Sequence, residues 1–176
     1  MDIEIGSIVP VTRRVGDRLD GVVVGVGERW LLLHRLFDLQ LDGLCAVRRR
    51  DITKVRIDTS GDHVAERSLR RRGVFPEPVT TIGLDRTGDV LEGLGALGIV
   101  TVHAERYRDH VCFLGVVGAV DRERKRFELL ELSPSATWDT GPTPWRFRGV
   151  SRVEAVGGYD AALGALAGPP PSPAVD

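Results

Sequence analysis

The stretches "LDGVVVGVGERWLLLHRL" (residues 19–36) and "FLGVVGAVDRERKRFELLEL" (residues 113–132) decide how the fold is interpreted, because they follow the same plan. Each has a leading glycine, Gly21 or Gly115, followed by an apolar strand, a charged turn and a second apolar strand. Self-similarity at a long spacing predicts a repeated structural unit. We therefore interpret the chain as two copies of one small β-rich unit.

A second pair of stretches extends the repeat. In both copies a strand ends in a short turn, and the next strand begins with an apolar residue, a serine or threonine, a basic residue and a valine. These stretches are "VRRRDITKVRI" (47–57) and "FRGVSRVEAV" (147–156). The copies are 94 residues apart at the leading glycines and 98 apart at the "ITKV" and "VSRV" units, so the second copy has a longer loop. The run Arg48–Arg50 then falls in a turn, where side chains usually face solvent.

The two copies predict a mainly β fold with short helices, built as two tandem five-stranded, strongly bent small barrels. Barrels of this size are marginal alone, so we expect them to pack together or share strands and thereby cover their open edges. The predicted strands are 3–12, 20–27, 29–36, 44–49 and 52–57 in the first copy, and 99–106, 110–120, 126–132, 144–148 and 151–156 in the second. The predicted helices are 61–72, 87–98 and 158–168.

The proline-containing stretch "FPEPVTT" (75–81) marks the boundary between the copies. We assign the first barrel and a C-terminal helix to residues 1–75. A linker helix, the second barrel and its C-terminal helix take residues 76–168. The proline-rich remainder, 169–176, is expected to be disordered or extended.

Composition indicates a soluble globular protein, with 42% hydrophobic and 28% charged residues in 176. No apolar run approaches the roughly 18 residues that a membrane span needs, and the acidic, alternating start is unlike a secretory signal. Cys45 and Cys112 suggest no disulfide framework. The basic residues are nearly all arginine and asparagine is absent, as in high-GC bacterial genomes. We expect a cytoplasmic bacterial protein.

Parts of the second copy resemble the motifs of Sm-like proteins. The segment from Gly115 to Asp121 resembles the first Sm motif, in which a glycine begins a bent strand and an aspartate lies in the following loop. "FRGVSRV" (147–153) resembles the second motif, an apolar residue followed by Arg-Gly and a closing strand. The helix at 87–98 is placed like the N-terminal helix of an Sm-like domain. The chain is similar to uncharacterised bacterial proteins with tandem Sm-like small β-barrels.

The resemblance implies a site for uridine-rich RNA, which Sm-like proteins form from two loops at the lumen of a ring. In this sequence the matching residues are Asp121, Arg148 and Gly149. The family's loop asparagine, which bonds the base, has no counterpart because the chain contains no asparagine.

The arginines allow two interpretations. Arg48, Arg49 and Arg50 could form a phosphate-binding patch with the run 70–72, and binding would then depend on salt. Alternatively they are a solvated turn and a solvated helix end, where cations suit the helix dipole. The net charge of −1 favours the second interpretation.

Two tryptophans, Trp138 and Trp145, bracket the long second-copy loop "DTGPTP". Indoles there could bind a partner or stack on bases. They could equally close the end of the barrel, since tryptophan is mostly buried. The copies differ most at this loop, so we take it as a candidate partner loop.

His103, His110 and Cys112 lie on a predicted hairpin around residues 105–109. Histidine and thiolate can bind zinc, but a structural zinc site normally needs four protein ligands. Without a Cys-x-x-Cys pair, we expect structural roles and neither a metal nor a cofactor.

No serine lies in a nucleophile motif and no carboxylate pair stands out, so we do not expect an enzyme. The expectation is a binding or scaffold module that self-associates through strand edges, with another protein as a further candidate partner. The alternative is a single-stranded RNA-binding protein that uses Arg48, Arg49, Arg50, Asp121 and Arg148.

Overall fold

A computed structural model describes residues 3–56, 63–107 and 111–171 of the chain. These residues form ten strands, three helices and two 3-10 turns. The strands are β1 (Ile8–Arg13), β2 (Leu19–Val26), β3 (Trp30–Phe37), β4 (Gln40–Arg48), β5 (Ile52–Val55), β6 (Val100–His103), β7 (Cys112–Asp121), β8 (Arg126–Leu132), β9 (Thr143–Arg146) and β10 (Arg152–Ala155). The helices are α1 (Val64–Arg71), α2 (Thr87–Gly95) and α3 (Gly158–Ala167), and the 3-10 turns are Arg49–Asp51 and Phe147–Gly149.

The prediction of a mainly β fold is confirmed, because all ten strands belong to one antiparallel sheet. Their order is β5-β1-β2-β3-β4-β10-β6-β7-β8-β9. The sheet is not closed, because β5 and β9 form its two ends, and two tandem five-stranded barrels are therefore not shown. The halves are joined by pairing of β4 with β10, which covers one strand edge of each half.

The first half (β1–β5 and α1) and the second half (α2, β6–β10 and α3) have the same strand order. Registers agree as well. Gly21 lies opposite Arg35, and Gly115 lies opposite Glu131 in the corresponding pair of strands. Each half also places a 3-10 turn directly before its last strand. The predicted repeat therefore corresponds to equivalent positions in the sheet.

The two leading glycines allow close approach between neighbouring strands. A Cβ atom on Gly21 would lie 2.7 Å from the His34 carbonyl oxygen, and one on Gly115 would overlap the Leu130 carbonyl oxygen. Each strand pair contains a bulge a few residues further on, and bulges increase bending and twist. Glycine is thus required at these two close approaches between neighbouring strands.

The main core is shared between the halves. Trp30 and Leu32 of the first half pack in one buried cluster with Val90, Phe127 and Val153 of the second. Each half also has buried clusters of its own, but the sheet and this shared core join the halves as one folded unit.

Charged side chains also cross between the halves. Arg35 on β3 donates to Glu154 on β10 at 2.8 Å. Arg13 on β1 pairs with Glu105, which follows β6, and both side chains are almost fully buried. Buried ions are retained only when they are paired and hydrogen-bonded, so these bonds help to define how the halves meet.

The three predicted helices are present with shorter bounds. No helix within the described residues is long and apolar enough to cross a membrane. The predicted tail from 169 has no regular structure as far as residue 171, and residues 172–176 lie outside the described part.

Candidate nucleic-acid interface

A basic cleft of about 500 Å³ lies where the turns of the two halves meet. Nine of its eleven lining residues are arginine or lysine, and none is acidic. We call this the basic cleft. Its lining residues are Arg29, Arg48, Arg86, Thr87, Arg122, Arg124, Lys125, Arg126, Arg146, Phe147 and Arg148.

The β7–β8 turn contributes three of the nine cations, Arg122, Arg124 and Lys125. Asp121, at the end of β7, accepts a hydrogen bond from the backbone N–H of Arg124 at 2.8 Å. Lys125 completes the turn in the left-handed region, with φ of 54°. Aspartate stabilises turns in this way by bonding to backbone a few residues ahead. Asp121, predicted as an RNA contact, is therefore engaged in shaping the turn that carries the arginines.

Two of the nine cations are neutralised by carboxylates. Arg122 pairs with Asp89 and Glu92 on α2. Arg124 reaches Asp121 at 3.4 Å. Solvent-exposed pairs of this kind are weak, so both guanidinium groups can exchange partners at little cost.

Arg48 has a different role, because it bridges the halves at the floor of the cleft. Its guanidinium lies over the ring of Trp30, 5.1 Å from the centroid. It donates to the Phe147 carbonyl oxygen and, at 3.2 Å, to the Thr87 hydroxyl. Burial, together with the nearby charge of Arg50, lowers the pKa of Arg48 to about 10, so the group remains protonated at neutral pH.

The other six cations have no hydrogen-bond or ion-pair partner for their side chains among residues 3–56, 63–107 and 111–171. They are Arg29, Arg86, Lys125, Arg126, Arg146 and Arg148. With Arg48, seven positive charges in one cleft are not balanced by a carboxylate.

Two of the unbalanced cations repel each other directly. Arg126 on β8 lies opposite Arg146 on β9 in the strand register. Like charges at opposed positions of neighbouring strands are destabilising. Both side chains are exposed, and an anion placed between them would remove the repulsion.

The structure separates the arginines that were predicted together. Arg48 and Arg148 line the basic cleft. Arg49 donates to the Gly27 carbonyl at 2.7 Å, and the exposed Arg50 reaches the Arg148 carbonyl at 3.5 Å. A Cβ atom on Gly149 would meet no atom within 4 Å, so this side of the turn is open.

The second arginine run, 70–72, belongs to α1 and its C-terminus and does not line the cleft. Arg70 packs over the ring of Phe75 at 4.0 Å and pairs with Glu66, four residues earlier on the helix. The basic cleft thus contains Arg48 of the first run and no residue of the second.

The two predicted partner-loop tryptophans pack in different places. Trp145 on β9 contacts the ring of Phe113, with centroids 4.3 Å apart, and donates to Glu131 at 3.3 Å. Trp138 lies near α3 and donates to the Gly168 carbonyl at 3.2 Å. The indoles do not form one stacking surface, and partner binding by this loop stays a prediction.

The histidine and cysteine positions have ordinary structural surroundings. His103 contacts Arg152 at 2.9 Å and lies opposite Cys112 in the register of β6 and β7. Burial raises the pKa of the Cys112 thiol. No group of three or more metal-ligand residues occurs in the part of the chain that the structure describes. His110 lies outside the described residues.

Sequence reasoning missed seven of the cleft cations. They are Arg29, Arg86, Arg122, Arg124, Lys125, Arg126 and Arg146. The sequence did contain a signal for them. In each copy, the turn after the second strand and the turn before the fifth strand lie at the same end of the sheet, so their charged residues come together. The "DRERKR" turn could have been combined with the "WRFRG" turn on that basis.

In comparisons with known proteins, no family model, no curated protein and no solved structure matches the chain.

Proposed function

We propose that the chain binds single-stranded RNA in the basic cleft. The observation that carries this proposal is the group of seven cations without a carboxylate partner, concentrated in one cleft of a chain whose net charge is −1. Self-repulsion of this kind is unfavourable in the free protein. A bound polyanion would remove it.

A phosphate polymer suits the cleft better than a small anion does. Seven charges exceed those of any single phosphate, whereas successive phosphates of a strand could each replace counterions near one cation. Duplexes are usually read by a helix or ribbon that projects into a groove. Here the cations line a concave surface, which favours a single strand along its floor.

One aromatic residue is available for a base. Phe147 lines the cleft in a half-buried position, with its ring 6.3 Å from that of Phe127. Stacking of bases on aromatic rings contributes about 1–3 kcal/mol per base and is tolerant of sequence. We expect modest base preference, because the family's asparagine contact has no counterpart in this chain.

The resemblance to Sm-like proteins favours RNA, and we propose that each half is an Sm-like unit. Support comes from the equivalent strand orders, the leading glycines, and the Arg148–Gly149 turn beside the cleft. The same resemblance associates the Asp121 and Arg148 loops with uridine-rich RNA. In this chain the contact would come mainly from arginines around those loops.

The test is a fluorescence anisotropy titration with labelled uridine-rich and mixed-sequence oligonucleotides at low and moderate salt. Replacing Arg126 and Arg146 by alanine should weaken binding on the order of tenfold or more, since two phosphate contacts are lost. The melting temperature of this variant should be unchanged or higher, because a like-charge pair is removed.

Arg71→Ala is the matched control, because Arg71 is exposed on α1 and does not line the cleft. It should leave RNA affinity unchanged. Absence of measurable binding at low salt by the unmodified protein would overturn the proposal.

A further inference from the structure

We infer that two copies of the chain form a symmetric dimer through the exposed face of helix α3. Leu166 and Tyr159 of each copy would lie in an apolar groove beside α3 of the other copy. This inference is independent of RNA binding, because α3 and its groove contribute no residue to the basic cleft.

The two halves differ in the outer surface of their last helix. Helix α1 of the first half exposes Arg67, Arg70 and Arg71 to solvent. Helix α3 of the second half contains one charged residue, Asp160, and this residue is buried. A helix without a polar face is typical of one that is covered on all sides. The exposed residues of α3 are all uncharged, namely Gly158, Tyr159, Ala161, Ala162, Ala165 and Leu166.

Large apolar side chains are concentrated on this face and beside it. Leu166 is 79% exposed, the largest value for any large hydrophobic residue in the described part of the chain, and Tyr159 is 61% exposed. Val156 and Leu97 lie beside the helix and are about half exposed. At about 200 Å² for a fully exposed large side chain, these four present roughly 500 Å² of surface. Two copies that bury these side chains and the alanines of α3 would reach the roughly 1,000 Å² that a specific interface needs.

The groove that would receive these side chains runs along one edge of α3 and has a volume of about 530 Å³. Gly164 lets the helix lie close to the sheet, because a Cβ atom there would be 2.6 Å from Cδ1 of Ile99. Asp160 is the only charged residue among the described residues that line the groove, and it accepts a hydrogen bond from the Thr101 hydroxyl at 2.8 Å. The groove is therefore an apolar site without an unpaired charge.

The groove and the large side chains lie on opposite edges of the exposed face. Ala161 and Ala165 line the groove, whereas Tyr159 and Leu166 do not. Residues seven apart share one edge of a helix, and Ala162 lies between the two edges. A twofold axis parallel to α3 exchanges the edges, so the large side chains of each copy meet the groove of the other.

A second copy suits this face because the same surface supplies both the apolar side chains and the groove. Neither surface presents an exposed charge, so association leaves no buried ion without a partner. The small side chain of Ala162 allows the two helices to approach closely. An isologous contact of this kind closes as a dimer and leaves no free copy of the surface for further growth.

Sedimentation velocity on RNA-free protein over a wide concentration range tests the inference. The unmodified protein should pass from monomer to dimer as its concentration rises. Leu166→Glu should weaken dimerisation on the order of a hundredfold or more, since each dimer would bury two unpaired carboxylates. The matched control is Val64→Glu, which changes an exposed valine on α1 and should leave the profile unaltered. Circular dichroism melting checks that both variants are folded.

Disulfide cross-linking tests the position of the twofold axis. The background protein has the exposed Cys112 replaced by alanine, and its remaining cysteine, Cys45, is buried. In this background Ala162→Cys should give a covalent dimer under mild oxidation, because the axis brings the two copies of residue 162 together. Val64→Cys in the same background should remain a monomer on a denaturing gel without reductant.

Raising the salt concentration distinguishes this contact from the basic cleft. Dimerisation through an uncharged face should not weaken with salt, whereas RNA binding should. A strict monomer at every concentration would overturn the inference. Dimerisation that survives Leu166→Glu would overturn it as well, since another surface, such as the open ends of the sheet, would then be responsible. Absence of the A162C cross-link in a protein that dimerises would overturn the twofold arrangement about α3.

Discussion

The arginines of this chain differ mainly in whether a carboxylate reaches them. Arg13 is paired with Glu105 in the interior, and the same carboxylate accepts from the Ser151 hydroxyl at 2.9 Å and contacts Arg152 at 3.2 Å. Arg146, by contrast, faces another arginine in the basic cleft. The first arrangement stabilises the joint between the halves. The second is unfavourable, and a bound anion would offset the repulsion.

Glu105 should make the stability of the protein sensitive to acid. Burial opposes its ionisation, but the hydrogen bond from Arg13 and the charge of Arg152 outweigh burial and keep the pKa of Glu105 below its ordinary value. Glu105→Gln leaves Arg13 buried without a counter-ion and should cost about 3–5 kcal/mol of unfolding free energy at pH 7.

The pKa of Glu105 is lower in the folded protein than in the unfolded chain. The stabilisation by its ion pair is therefore fully present above the ordinary glutamate pKa of about 4.3, and it is lost as the pH falls through the lower pKa of the folded protein. Urea unfolding of both proteins between pH 7 and pH 3 measures the difference. The difference in unfolding free energy between the unmodified protein and Glu105→Gln should become smaller at low pH. A difference that does not vary with pH would contradict the stabilising role of the ionised Glu105.

Strands and turns were predictable to the extent that local sequence controls them. Strand β8 was predicted and observed over 126–132, and the positions of the leading glycines were correct. The first strand was predicted over 3–12 but begins at Ile8, because Gly6 adopts a left-handed turn with φ of 90°. The alternating apolar residues before Gly6 have the same pattern as a strand. The turn depends on the positive φ that glycine allows, and a hydropathy pattern contains no information about φ.

Substitution of the second leading glycine tests the close strand approach. Gly115→Ala should destabilise the protein by about 1–3 kcal/mol, because its Cβ atom would overlap the Leu130 carbonyl oxygen and force β7 away from β8. Gly141→Ala is the matched control, since a Cβ atom there has nothing within 4 Å. Thermal unfolding compares the two. Equal melting temperatures would show that the strands do not approach this closely.

For the whole chain, the repeat was visible in the sequence but the way its copies join was not. Pairing of β4 with β10 depends on tertiary contacts such as Arg35–Glu154, whose members are 119 residues apart. The cleft likewise depends on which arginines find carboxylates: Arg122 is neutralised by α2, whereas Arg126 is not. No local pattern distinguishes these neighbours. The predicted division at residue 75 marks a boundary between repeats, while the core crosses it.

A shared core predicts that the halves unfold together. Trp30 reports on the first half and Trp145 on the second, and both pack against the main cluster. Two variants that each retain one of these tryptophans, with phenylalanine at the other two positions, should show coincident fluorescence transitions in urea. Separate midpoints would indicate that each half is a domain of its own.

The most direct test of RNA binding in the basic cleft is the salt dependence of affinity. The logarithm of the binding constant should fall linearly with the logarithm of salt concentration, by about 0.7 for each phosphate neutralised on a single strand. Replacing Arg126 and Arg146 by alanine should reduce the steepness by about 1.4, and Arg71→Ala should not change it. A shallow slope for the unmodified protein, or equal slopes for the cleft variant and the unmodified protein, would contradict binding in this cleft.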